Sequence, residues 1–124
     1  LWDAWVGFSS PGISLPALVS EGFLKRGIPL HTIAQVLSTN TARLFNLAGK
    51  GEVKVGFDAD FALVDLNWER TIDESLFFPS DFSIYEGLSF RGWPRYTISR
   101  GTVLQKDGVV CCKPGHGKYI FRKL

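Results

Sequence analysis

Methionine is missing from this 124-residue chain, and cysteine and histidine occur only twice each. Each scarcity excludes something. The two thiols, Cys111 and Cys112, are neighbours, and a bridge between adjacent residues would be a strained ring outside ordinary disulfide geometry. No other partner exists for them, so the framework of a small secreted domain is absent and a reducing, cytoplasmic setting is expected. His31 and His116 lie far apart, with no His-x-His pair and no cysteine at ligand spacing. Metal sites need several ligands converging on one point, so this chain by itself is expected to bind no metal and no other cofactor.

Other classes fall on similar grounds. The longest apolar-rich stretch, Ile13 to Leu47, is broken by Glu21, Lys25, Arg26, His31 and Arg43, so no run is long enough to span a bilayer. Fourteen basic against 12 acidic residues leave a net charge of +2, too balanced for a nucleic-acid binder. No basic n-region precedes an apolar core in this sequence, so no secretory signal is expected. There is no Gly-x-Ser-x-Gly elbow, and Gly49-Lys50-Gly51 lacks the spacing of a phosphate loop. The chain opens at Leu1 without a methionine, which is read as a piece of something longer.

What is there is an ordinary globular composition, 45% apolar and 21% charged, arranged as helices first and strands second. Leu15, Leu18, Val19, Gly22 and Phe23 recur at helical spacing, with Ser14 as N-cap, Pro16 in the first turn and Gly27 as stop. A second helix is expected from Pro29 with Leu30, Ile33, Ala34 and Leu37 on one face, the pair forming an αα-hairpin. Ser38-Thr39-Asn40 reads as an interruption, with Asn40 capping a third short helix.

At Gly49 the pattern changes. Alternation at Glu52 to Val55 predicts the first strand, and Phe61 to Asp65 reads as a strand buried on both faces. Gly56 can supply positive φ at a corner where Asp58 and Asp60 bind backbone N–H groups. Trp68, Arg70 and Ile72 share one side of the next stretch. The long aromatic-rich connection from Asp73 to Arg91 suggests a loop with a role or a neighbour. Asp107-Gly108 between two apolar alternations predicts a type I′ hairpin, with Cys111 and Cys112 packed on its second strand. The last 12 residues read as an extended basic arm anchored by Tyr119 and Phe121.

The run Gly51-Glu-Val-Lys-Val-Gly56-Phe-Asp58-Ala59-Asp60-Phe-Ala-Leu-Val-Asp65 resembles the C-terminal signature of the metal-dependent amidohydrolase superfamily. Ser20-Glu21-Gly22, Ser38 to Leu47, Tyr85-Glu86-Gly87, Gly92-Trp93-Pro94, Ile98-Ser-Arg100-Gly101 and Lys113-Pro114-Gly115-His116-Gly117 look like its cyclic-amide branch of hydantoinases, dihydropyrimidinases, allantoinases and dihydroorotases. Ala4-Trp5-Val6-Gly7 is most similar to the Ala-Trp-Gly-Gly loop of allantoinases, with Val6 in place of a glycine.

The resemblance implies an α+β fragment: residues 1–48 as the last helices of a (β/α)8 barrel, and residues 49–124 as the C-terminal strands of a small β-sandwich with an extended tail. It implies a hydrolase that opens a cyclic amide with two metal ions, usually zinc, whose ligands all lie upstream of Leu1. On this chain it implies a substrate wall at Gly7, Phe8, Ser9 and Ser10, whose backbone groups pair with the ring imide. It implies partnership with the upstream barrel segment and with further copies of the protein, and no nucleic acid or membrane. Two other readings stay open: a non-enzymatic, dihydropyrimidinase-like signalling or assembly protein, and a free-standing interaction module.

Overall fold

The computed structural model describes residues 11–76 and 83–121. The chain opens with α1 (Pro11–Ala17), which passes directly into a π-helical segment, Leu18–Leu24. The chain is already helical at Pro11, the first residue described, three residues before the expected cap. Ser14 therefore lies inside the helix, and Pro16 is a buried interior position. Gly27 ends the helix as anticipated: at φ +70° it donates its N–H to the Phe23 carbonyl. Ile28 then donates to the Gly22 carbonyl.

The second helix contradicts the expected interruption. α2 (Leu30–Ala34) runs into a second π-helical segment (Gln35–Thr39) and on into α3 (Asn40–Leu44). Asn40 is right-handed helical at φ −67°, ψ −37°, so it continues the helix and caps nothing. Thr39 sends its hydroxyl outward to the Gly51 carbonyl, 2.7 Å away, instead of to its own helix. The returning helix packs on the first beside Gly22, where an added Cβ would meet Ile28 and Ile33 at ordinary contact distances of 3.5 and 3.7 Å. Of the predicted stripe on this helix only Ile33 is buried; Leu30, Ala34 and Leu37 are exposed.

No strand forms at Glu52 to Val55. Gly49, Gly51 and Gly56 all take positive φ, turning the chain three times within eight residues, and Val53 and Val55 are open to solvent. The sheet begins instead with β1 (Phe61–Thr71), followed by β2 (Ser89–Ser99), β3 (Thr102–Lys106) and β4 (Val109–Val110), all antiparallel in the order β1-β2-β3-β4. Among the described residues β1 is thus an edge strand, and Ala62 and Leu63 are exposed, so Phe61 to Asp65 is not the doubly buried strand expected.

The core joins the two halves of the chain. Ile13 from α1 is buried with Ile72, Phe90 and Trp93, flanked by Ala17, Trp68, Leu76 and Tyr85. As the alternation predicted, Trp68 in β1 and Ile72 just after it both meet the core, and Arg70 between them lies over the rings of Trp68 and Trp93. Gly87 and Leu88 return the long connection to both sides of Ile72 through backbone bonds of 2.9 and 2.8 Å. Of that connection Phe77, Phe78 and Phe82 lie outside the described residues.

Two consecutive hairpins close the sheet. Asp107 and Gly108 have φ of 49° and 87° between paired Lys106 and Val109, the type I′ turn expected there. Arg100 and Gly101 repeat the pattern at 47° and 76° between Ser99 and Thr102. A Cβ at residue 108 would also stand 3.1 Å from the Arg70 guanidinium. Gly108→Val should therefore lose about 1–3 kcal/mol in urea denaturation, since a β-branched residue resists positive φ and the cation must move. An unchanged midpoint would mean that the turn has another geometry.

Candidate functional site

The residues assigned to the substrate wall, Gly7, Phe8, Ser9 and Ser10, lie outside the described residues. In sequence they immediately precede Pro11, the first residue described. The polar groups of the described residues meet in three places.

The first is the corner after the helices. Lys50, only 14% exposed at its side chain, sets its ammonium between Asp58, 2.8 Å away, and Asp60. Asp60 also accepts the backbone N–H of Arg100 at 2.7 Å, and Gly101 donates to the Ala59 carbonyl at 2.9 Å. Asp58 was expected to bind backbone N–H groups and binds Lys50 instead; Asp60 does both. One cation thus ties the glycine turn, the start of β1 and the β2–β3 turn together. The signal for this was the Asp-x-Asp pair eight and ten residues after a lysine held between glycines.

Desolvation pulls the Lys50 pKa down, but the bonds to Asp58 and Asp60 outweigh it and hold the ammonium above its ordinary value. Desolvation likewise pushes Asp60 up, and the Lys50 and Arg100 donors overcome it and keep the carboxyl below its ordinary range. A depressed carboxylate stabilises the fold above its unfolded pKa and loses that contribution as pH falls through the folded value. A raised ammonium stabilises below its unfolded pKa and loses its share as pH climbs through the folded one. The corner should therefore contribute fully between about pH 4 and pH 10. Asp60→Asn should lower stability by about 1 kcal/mol at pH 7, with the gap from the parent closing under acid. Parallel melting curves at pH 7 and pH 2.5, with no closing of the gap, would contradict the assignment.

The second is a stack of cations and indoles on β1 and β2. Arg95 lies 4.3 Å over the Trp68 ring and pairs with Asp65 and Asp107 at 3.2 and 3.0 Å. Asp65 also accepts the Asn67 N–H, and that bond first, then Arg95, holds its carboxyl below the ordinary value. The third is the tail, where Arg100 donates to the His116 carbonyl and the His116 ring meets the Ser99 carbonyl at 3.3 Å. Among the described residues no group of three or more His, Cys, Asp or Glu side chains is placed to hold a metal ion. No described helix is long and apolar enough to cross a membrane.

A sequence profile of the Amidohydrolase family matches residues 17–104. The chain belongs to the amidohydrolase family. An allantoinase of Desulfitobacterium hafniense is 41% identical over 117 residues, covering 94% of this chain and 26% of the relative. A dihydropyrimidinase of Rattus norvegicus is 43% identical over 90 residues, covering 71% of this chain and 17% of the relative. The L-hydantoinase structure from Arthrobacter aurescens superposes with a TM-score of 0.88 at 31% identity, covering 98% of this chain and 27% of that one. This amidohydrolase chain thus spans about a quarter of the length of the allantoinase it matches. The corner built on Lys50, Asp58 and Asp60, the strands β1 and β2, and the helices from Ala17 onward all fall inside the matched region.

Proposed function

We propose that the chain is the C-terminal portion of a hydrolase that opens a cyclic amide ring of the allantoin, hydantoin or dihydropyrimidine kind. The reading rests on one observation above the others: nearly the whole chain superposes on an L-hydantoinase, while its sequence relatives carry the names allantoinase and dihydropyrimidinase. In this reading the two helices from Pro11 to Leu44 are the last helices of a (β/α)8 barrel. The sheet from Phe61 to Val110 is then part of a small β-sandwich. The C-terminal face of such a barrel is where substrate binds, and the residues before Pro11 would form its wall. Backbone N–H and C=O groups of Gly7, Phe8, Ser9 and Ser10 would pair with the ring imide and orient it; a glycine there permits the close approach.

The described residues do not fit the two zinc ions of the full hydrolase. Those ions are assigned to ligands upstream of Leu1, and no catalytic step is assigned to a side chain of this segment. The partners in this reading are the cyclic amide, the upstream barrel segment and further copies of the protein, in the cytoplasm.

The test is a chimera in which residues 1–124 replace the matched C-terminal quarter of the Desulfitobacterium hafniense allantoinase. The chimera should retain zinc and open at least one of allantoin, hydantoin and dihydrouracil, followed by loss of the ring in chromatography. The isolated chain should do neither. A folded, zinc-loaded chimera that opens none of the three rings would overturn the proposal, as would tight zinc binding by the isolated chain.

A further inference from the structure

The C-terminal arm leaves the sheet where Cys111 and Cys112 were expected to pack on a strand. β4 ends at Val110; the Cys111 N–H still donates to the Leu104 carbonyl at 2.8 Å, but its side chain is exposed. Pro114 and Gly115 then turn the chain, with φ +93° at the glycine, and His116 meets the β2–β3 turn. Two bonds form there, and they are reciprocal. The Arg100 guanidinium donates to the His116 carbonyl, and the His116 ring stands 3.3 Å from the Ser99 carbonyl. A carbonyl oxygen only accepts, so Nε2 of His116 carries the donated proton. Each side chain thus serves a backbone carbonyl of the other segment.

Position 100 is an unfavourable place for an arginine. The described residues other than glycine with positive φ are Asn46, Arg100 and Asp107. Asparagine and aspartate tolerate that region, whereas a long side chain gains nothing from it. The turn itself makes no use of the guanidinium, because its bonds to the start of β1 run through backbone donors. The Arg100 N–H goes to Asp60 at 2.7 Å, and the Gly101 N–H goes to the Ala59 carbonyl at 2.9 Å. An asparagine would keep both bonds and suit the backbone better. What it would lose is the bond to the arm.

We propose that Arg100 is a positioning residue that, together with His116, latches the C-terminal arm onto the β2–β3 turn. The latch anchors the stretch in which Tyr119 and Phe121 pack edge to face at 4.8 Å while both stay exposed. Through the Asp60 carboxylate, which binds both Lys50 and the Arg100 N–H, the arm is tied to the corner after the helices. The inference is independent of the hydrolase reading, since it uses only groups of this chain.

The experiment is limited trypsin digestion of the 124-residue chain at one fixed protein concentration, read by mass. Two initial rates are compared: cleavage after Lys118, just past the latch, and cleavage after Arg70, which requires β1 to open. Arg100→Asn should speed cleavage after Lys118 by roughly 10-fold, the factor that one bond from a charged donor supports when cleavage follows the open population. His116→Ala, which removes the ring and leaves the carbonyl, should speed it by roughly 3-fold. Neither variant should change cleavage after Arg70. Unchanged cleavage after Lys118 in either variant would overturn the proposal. So would equal acceleration at Arg70 and Lys118, which would make Arg100 a support of the whole sheet.

Discussion

Gly92→Ala is expected to destabilise the chain by roughly 2–6 kcal/mol, enough to unfold a domain of ordinary stability. Gly92 sits in β2, between Arg91 and Trp93, at φ +91°, where a side chain strains the backbone by about 1–3 kcal/mol. It stands opposite a bulge: Trp93 pairs with Asp65 and Arg91 with Glu69, so three residues of β1 face this one position. The bulge lets the first helix approach, and a Cβ at residue 92 would lie 2.2 Å from Val19 Cγ1 and 2.7 Å from its Cβ. Trimming Val19 to alanine leaves the second contact in place, so Val19→Ala should not rescue the variant; the helix itself would have to move. Overpacking of that kind adds about 1–3 kcal/mol. Gly101→Ala is the internal control, because φ there is +76° and nothing lies within 4 Å. Urea midpoints at one fixed protein concentration separate the two effects. Equal losses at residues 92 and 101 would mean that the helix does not rest on the sheet at Val19.

That contact illustrates what the sequence could and could not convey. Turns governed by positive φ were legible, because Asp-Gly between apolar alternations has few other solutions, and the hairpin at Asp107-Gly108 formed as read. The family was legible too, through spaced glycines and aspartates that build the Lys50 corner. Alternation misled at Val53 and Val55, since a period of two identifies a strand only where one face is buried, and both valines face water. Ser38-Thr39-Asn40 misled for the converse reason: polar residues that favour caps remain helical when a tertiary acceptor, here the Gly51 carbonyl, takes the hydroxyl. Gly92 was quoted only as part of a motif, because the Val19 contact joins residues 73 positions apart and leaves no local trace. The four substrate-wall residues lie outside the described residues, and only the chimera speaks to them.

The isolated chain should not behave as a compact monomer. Large apolar side chains stand open to solvent: Leu44 is 78% exposed, Val53 85% and Val55 100%, on a stretch pinned by the Arg43–Glu52 ion pair. Burying three such side chains is worth about 5 kcal/mol, comparable with the whole stability of a small domain. Sedimentation should therefore show concentration-dependent association, and a hydrophobic dye should light up in its presence. Leu44→Lys with Val55→Lys should lower both signals and leave the helical circular dichroism intact, because neither side chain supports the core around Ile72. A sharp, cooperative melt of a monomer that binds no dye would show that these side chains find cover within the chain itself, with Leu44 and Val55 turned inward rather than toward water.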